Sequence, residues 1–265
     1  MKKRKTLGLT LRNKEFIDTL IKMSKRKKFN ENDFINEFSK YVSLKKKTMK
    51  EDDLRFGTDY GLLIKEKNYY VFSDEAFYDL LINENKEQIK FYLHNIYYDK
   101  EDLYKKLIDT LNERQFSKNK LKNIIGTSKQ TVEVLLKWGE WFDKIQQNEI
   151  TKEYYIIKIK GKIDLVFFWN KLLEHYSILD KIESMPLSRS YYVKIPLLKN
   201  ILCAKEKISF KTFNELMDEL LSSPNYGNKI NIMSAPETYI EYEKRKGLSP
   251  FKYKGRFYYF IYIQS

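Results

Sequence analysis

Leu121-Lys122-Asn123-Ile124-Ile125-Gly126-Thr127-Ser128-Lys129-Gln130-Thr131-Val132-Glu133-Val134-Leu135-Leu136 is the stretch whose reading decides the fold. Its first half spaces apolar side chains as one face of a short helix that stops at Gly126. Glycine takes positive φ at little energetic cost, so Gly126 supplies a turn. Thr127 or Ser128 then offers an oxygen to the free N–H groups of a following helix. Val132, Leu135, Leu136 and Trp138 give that helix its buried stripe, and Val132 locks it to the helix before.

The same order of signals recurs along the chain. Phe16-Ile17-Asp18-Thr19-Leu20 returns as Leu107-Ile108-Asp109-Thr110-Leu111, and Phe29-Asn30-Glu31-Asn32-Asp33-Phe34 matches Phe116-Ser117-Lys118-Asn119-Lys120-Leu121. Leu54-Arg55-Phe56-Gly57 matches Leu136-Lys137-Trp138-Gly139, and each is followed by a Tyr-Tyr pair, Tyr69-Tyr70 and Tyr154-Tyr155. The offsets shrink from 91 through 87 to 82, as small loop deletions would make them. Each copy reads as three helices and then two Tyr- and Ile-rich strands around a polar turn. A third, weaker copy begins near Pro196, with Ile208-Ser209-Phe210-Lys211-Thr212-Phe213 at the place of Phe116 to Leu121. Its end, Gly255 to Ile263, reads as a strand after a turn. The expected units are 1–97, 98–180 and 181–265; Pro186 and Pro196 frame the link between the last two, and Ser222-Ser223-Pro224-Asn225 is a loop.

The stretch 121–136 resembles the helix-turn-helix of the winged-helix superfamily: an apolar second helix, a glycine in the turn, a Ser/Thr cap, and an apolar residue at the centre of the third helix. That resemblance implies a mainly α fold with small β-hairpins (α+β), arranged as tandem winged helix-turn-helix units. In this family the early, outward residues of the third helix enter the major groove. Here those are Ser128, Lys129, Gln130 and Lys137. The implied ligand is nucleic acid, DNA ahead of RNA. The implied role is a regulator or accessory factor, and analogy with tandem winged-helix proteins of AT-rich microbes extends it to a mobile-element or defence locus.

Charge points the same way. The 50 basic and 36 acidic side chains leave +14. Residues 1–50 hold 16 Lys/Arg against 5 Asp/Glu, a balance of +11, and the rest hold 34 against 31, only +3. A near-neutral body with a basic front end suits a polyanion, through counterion release and steering. Three clusters are candidates for phosphate contact: Lys25, Arg26, Lys27 and Lys28; Lys45, Lys46, Lys47 and Lys50; and a late set of Lys244, Arg245, Lys246, Lys252, Lys254 and Arg256. The interleaved Tyr253, Phe257 and Tyr258 are either stacking platforms for unpaired bases or half-buried strand positions.

Acids argue against three-fold groove reading. Glu133 shares a face with Lys129 and Lys137; Glu51, Asp52 and Asp53 fall at the expected start of the matching helix of the first copy; Glu215, Asp218 and Glu219 crowd that of the third. A protein partner docking on these acidic helices is therefore the competing expectation, with the chain as a non-catalytic interaction subunit of a larger nucleoprotein complex. A dimeric sequence-specific repressor is a third, although no sustained heptad is legible.

No catalytic constellation, cofactor motif or metal-ligand spacing stands out. His94 and His175 have no Cys or carboxylate at ligand spacing, Cys203 lies in an apolar run, and Asp164 and Glu241-Tyr242-Glu243-Lys244 do not make a nuclease pattern. Trp138, Trp141 and Trp169 fit core positions on helices. A single cysteine fits a reducing compartment. The start Met1-Lys2-Lys3-Arg4-Lys5 is basic but no apolar stretch follows, so neither a leader nor a membrane segment is expected and the expected location is cytoplasmic. The abundance of Lys, Asn, Ile and Tyr, with only Ala76, Ala204 and Ala235 as alanines, is that of an AT-rich genome.

Overall fold

The structure, a computed structural model, describes residues 13–158, 163–183, 185–187 and 190–264. The chain is a mixed α+β protein of helices and small antiparallel sheets. It divides into two units, residues 1–110 with 119–143 and residues 111–118 with 144–265. The basic start at residues 1–5 lies outside the described residues.

The first unit opens with helix Asn13–Ser24, strand Lys28–Asn30 and helix Glu31–Phe38. The second helix starts where it does because Asn30 and Asp33 form a reciprocal cap: Asn30 Oδ1 accepts from the Asp33 N–H at 2.9 Å, and Asp33 Oδ2 accepts from the Asn30 N–H at 3.0 Å. A helical run follows over 46–59, π-wound from Met49 to Leu54, so that Met49, Asp53 and Leu54 all turn inward. Strands Leu63–Glu66 and Tyr69–Phe72 close the segment, and the sheet places the last strand between the other two. Phe16, Leu20, Phe29, Phe34, Phe38, Leu54 and Leu63 fill the space beneath.

The unit continues through helices Glu75–Ile82 and Lys86–Lys100, and includes helix Lys129–Trp141. Trp138 packs face-on against Phe56 at 5.6 Å and Tyr97 at 5.1 Å between ring centres, with Phe142 at 5.2 Å. His94 sits beside this cluster, its Nδ1 3.2 Å from the Tyr104 hydroxyl. It is a core histidine.

In the second unit, strands Phe116–Ser117, Ile145–Gln147 and Glu153–Ile156 form a sheet with the last strand again in the middle. The remaining chain runs helix Leu165–Glu183, strands Met185–Leu187 and Ser190–Lys194, helices Ile195–Glu206 and Phe210–Ser222, and strand Ile230–Met233. Helix Glu237–Arg245 and the hairpin Phe251–Tyr253/Arg256–Tyr258 come next, before a final strand Phe260–Ile263. That strand inserts between Ser190–Lys194 and Ile230–Met233, pairing Phe260 with Lys194 and with Met233. Phe168, Leu172, Leu198, Leu202, Phe213, Met217 and Ile261 make the core.

Helix, strand, helix, helix, strand, strand, with the first strand bonded to the last, thus occurs twice: over 13–72, and over 102–156 with helices Asp102–Glu113, Lys118–Ile125 and Lys129–Trp141. The segment 165–263 follows the same order with two additions, strand Met185–Leu187 ahead of Ser190–Lys194 and an insertion before its last strand, and there it is Ser190–Lys194 that bonds the last strand. The expected boundaries at 97/98 and 180/181 fall inside helices Lys86–Lys100 and Leu165–Glu183. Pro196, expected in a link, stands in the first turn of helix Ile195–Glu206, where a proline's missing N–H leaves no bond unmade. Consequently Ile208 to Phe213 opens the third helix of its segment, not the second as the repeat alignment has it. The apolar run 195–204 hid that second helix: Ile195, Pro196, Leu198, Leu202, Cys203 and Ala204 are all buried, so no amphipathic period marks it.

Candidate nucleic-acid interface

The Lys25 to Lys28 set forms the turn between helix Asn13–Ser24 and strand Lys28–Asn30, and all four side chains are exposed. Arg26 donates to Asp33 at 3.0 Å, Lys25 lies 3.6 Å from Glu84, and Lys28 stands over the Tyr69 ring at 5.4 Å. Lys27 takes the left-handed conformation, φ 56°. Part of this set's charge is balanced by acids of the same unit.

Lys45, Lys46, Lys47 and Lys50 are exposed at the start of the helical run 46–59. The expected start at Glu51 to Asp53 is corrected: those acids lie more than a turn inside, Asp53 is buried, and Lys47 approaches Glu51 at 3.9 Å. Lys45 caps the helix without a side-chain bond, so no Ser, Thr, Asn or Asp marked the true start. Lys50 bonds Glu31 at 3.0 Å, and this hydrogen bond raises its pKa. Arg26 and Lys50 therefore both lean on the short helix Glu31–Phe38. Between the run 46–59 and the strand pair that follows lies an open groove of about 520 Å³, in which Lys50, Arg55 and Lys65 stand with Glu51 over Leu54 and Leu63. Sequence reading missed Arg55 and Lys65, because neither belongs to a run of like charge.

Ser128, Lys129, Gln130 and Lys137 are exposed on helix Lys129–Trp141. Gly126 has φ +76°, as the turn requires, and the Ser128 hydroxyl accepts from the Thr131 N–H at 3.0 Å. The serine is committed to the cap. Glu133, half-buried, stands one turn from both Lys129 and Lys137.

Lys252, Lys254 and Arg256 are exposed on the inserted hairpin of the last segment. Tyr253 and Tyr258 are half-buried against the core, whereas Phe257 is exposed. Among the described residues three hairpins share a device that no motif announced: each turns on a left-handed lysine, Lys67 (φ 53°), Lys152 (φ 58°) and Lys254 (φ 45°). Glycine or asparagine is the usual signal for such a turn, so these tips read as ordinary polar residues.

A buried polar cluster fixes the base of that insertion. Asn200 accepts from the Glu149 N–H at 2.6 Å and donates to Pro196 O at 2.8 Å, while Glu149 receives the Ser249 N–H at 3.1 Å and hydroxyl at 2.5 Å. Lys199, also buried, donates to Ser249 O at 3.1 Å, and burial pushes its pKa down. Asn200→Ala leaves several of these groups unbonded and should lower stability by about 1–3 kcal/mol in urea unfolding. A change smaller than ~0.5 kcal/mol, the range of ordinary surface substitutions, would mean that the cluster is solvated.

Among the described residues no group of His, Cys, Asp and Glu is arranged to hold a metal ion, and no helix is long and apolar enough to cross a membrane. Comparison with protein-family models, curated proteins and solved structures finds no match to this chain.

Proposed function

We propose that the chain is a nucleic-acid-binding protein whose three segments are winged-helix units and whose ligand is duplex DNA, held by phosphate contact more than by base reading. One observation carries the reading: four exposed lysines occupy the start of the third helix of the first segment, and the last of them, Lys50, lines a groove that also holds Arg55 and Lys65. The strand order supports it: in each segment the strand just before the second helix bonds the last strand, as a winged helix needs. We read its role as that of a regulator or accessory factor.

Anisotropy titrations with labelled duplex DNA at several salt concentrations test the proposal. Log affinity should fall linearly with log salt, by ~0.9 for every phosphate engaged. No binding at low salt would overturn it. The second reading is docking of a basic protein partner on helix Phe210–Ser222, where Glu215, Asp218 and Glu219 are exposed. It would be favoured by that null result together with a partner lost on Glu215→Lys.

A further inference from the structure

The insertion in the last segment has no counterpart in the other two, where the second and third strands are joined by a turn alone. From Lys244 to Ser265 the chain holds six Lys/Arg and no Asp or Glu. Its hairpin turns on Lys254 and Gly255, both at positive φ, the two-residue geometry that matches strand twist.

The register of that hairpin separates its two faces. Phe251 pairs with Tyr258, Lys252 with Phe257, and Tyr253 with Arg256, and paired residues share a face that alternates along the strands. Phe251 is fully buried, and Tyr258 packs beside it on the core. On the opposite face Lys252 and Phe257 stand in solvent, with Phe257 41% exposed. The Lys244 and Lys252 ammonium groups lie 5.2 and 6.0 Å from the centre of its ring. Of the insert's three acids, Glu243 is buried, between Lys194 at 3.9 Å and Lys246 at 4.0 Å, and Glu237 and Glu241 are exposed on the helix that precedes the hairpin. A single exposed ring is common on protein surfaces. A ring bracketed by two cations on a hairpin, Phe251 to Tyr258, that contains no Asp or Glu has the composition of a single-strand site: an aromatic plane for a base and ammonium groups for its phosphates.

We propose that this face binds single-stranded nucleic acid, with Phe257 stacking an unpaired base and Lys244 and Lys252 holding the adjoining phosphates. The inference rests on the reading of the chain as a nucleic-acid-binding protein and deepens it. A duplex keeps its base faces inside its own stack, so Phe257 has a plane to meet only where strands are open.

Oligo(dT) and a blunt duplex are the probes, each titrated by anisotropy against the full chain and its variants. Phe257→Ala should weaken oligo(dT) by ~10-fold or more and leave the duplex within about twofold, the loss expected of one stacked base. Phe257→Tyr should restore oligo(dT) binding, and circular dichroism should stay unchanged because the ring is exposed. Lys244→Gln with Lys252→Gln should lower the oligo(dT) salt slope by ~1.4, at ~0.7 per single-strand phosphate. Undiminished oligo(dT) binding by Phe257→Ala, beside normal duplex binding, overturns the platform and leaves the DNA reading intact. Equal losses on both probes also overturn it. Failure of the unaltered chain to bind either probe overturns the broader reading as well.

Discussion

Duplex DNA should bind the quadruple variant K45E/K46E/K47E/K50E roughly 100- to 1000-fold more weakly than the unaltered chain near physiological salt, the loss that follows from ~4 forfeited phosphate contacts. All four side chains are exposed, and they stand on one helix start. Their substitution should therefore move the salt slope by ~3.6, because each phosphate contributes ~0.9. Folding stability should change little: the Lys50–Glu31 bridge is solvent-exposed on the lysine side, and such surface pairs contribute little. The matching reversal of Lys25, Arg26, Lys27 and Lys28 should have the smaller effect under the proposed function, since that set forms a turn and a winged helix presents its third helix to DNA. An unchanged slope in the first variant would remove the third helix from the interface. A larger loss from the second variant would move the grip to the turn before the first strand.

The other large effect concerns stability. Trp138→Ala should destabilise the first unit by about 3–5 kcal/mol, the range for deleting a large buried aromatic. Its indole lies among Phe56, Tyr97, Trp141 and Phe142, is 4% exposed, and touches no surface position proposed to bind DNA. Among the described residues its Nε1–H has no hydrogen-bond partner. Trp138→Phe keeps most of the stacking and removes that buried donor, so its loss should stay below ~1.5 kcal/mol. Urea midpoints read by circular dichroism compare the two. Equal losses would show that the indole nitrogen is bonded, and a loss below ~1 kcal/mol for the alanine variant would show that the aromatic cluster is not a packed core.

What the sequence disclosed depended on whether a local signal coincided with the structural need. Gly126 and Ser128 are a turn and a cap with specific chemistry, and both act in those roles. Asn30 likewise caps its helix. The early helices of the first two copies were legible because their buried faces recur at helical spacing. Lys45 sits at a helix start with no capping side chain, which moved the expected start inward to the acids at 51–53. The run 195–204 is buried nearly all round and carries no period, so nothing in the sequence marks its helix. Helix Glu237–Arg245 has a single buried residue, Glu243, and nothing in an amphipathic reading announces it. Of the candidate site, the basic clusters were visible as runs. The groove residues Arg55 and Lys65 were not, because the run 46–59 and the hairpin after it must fold before they face one space.

The left-handed lysines at the three hairpin tips tie backbone energy to surface potential. A left-handed conformation costs an L-residue about 1–2 kcal/mol, and glycine escapes most of that cost. Glycine codons begin with two guanines, whereas lysine is encoded by adenine-rich triplets, and this chain has 50 Lys and Arg but only 9 Gly. Lysine in place of glycine thus leaves each tip strained and, by the same exchange, positively charged. Replacing Lys67, Lys152 and Lys254 together by glycine should raise the melting temperature while weakening DNA binding. At these three positions backbone ease and positive surface charge are opposed, and lysine keeps the charge.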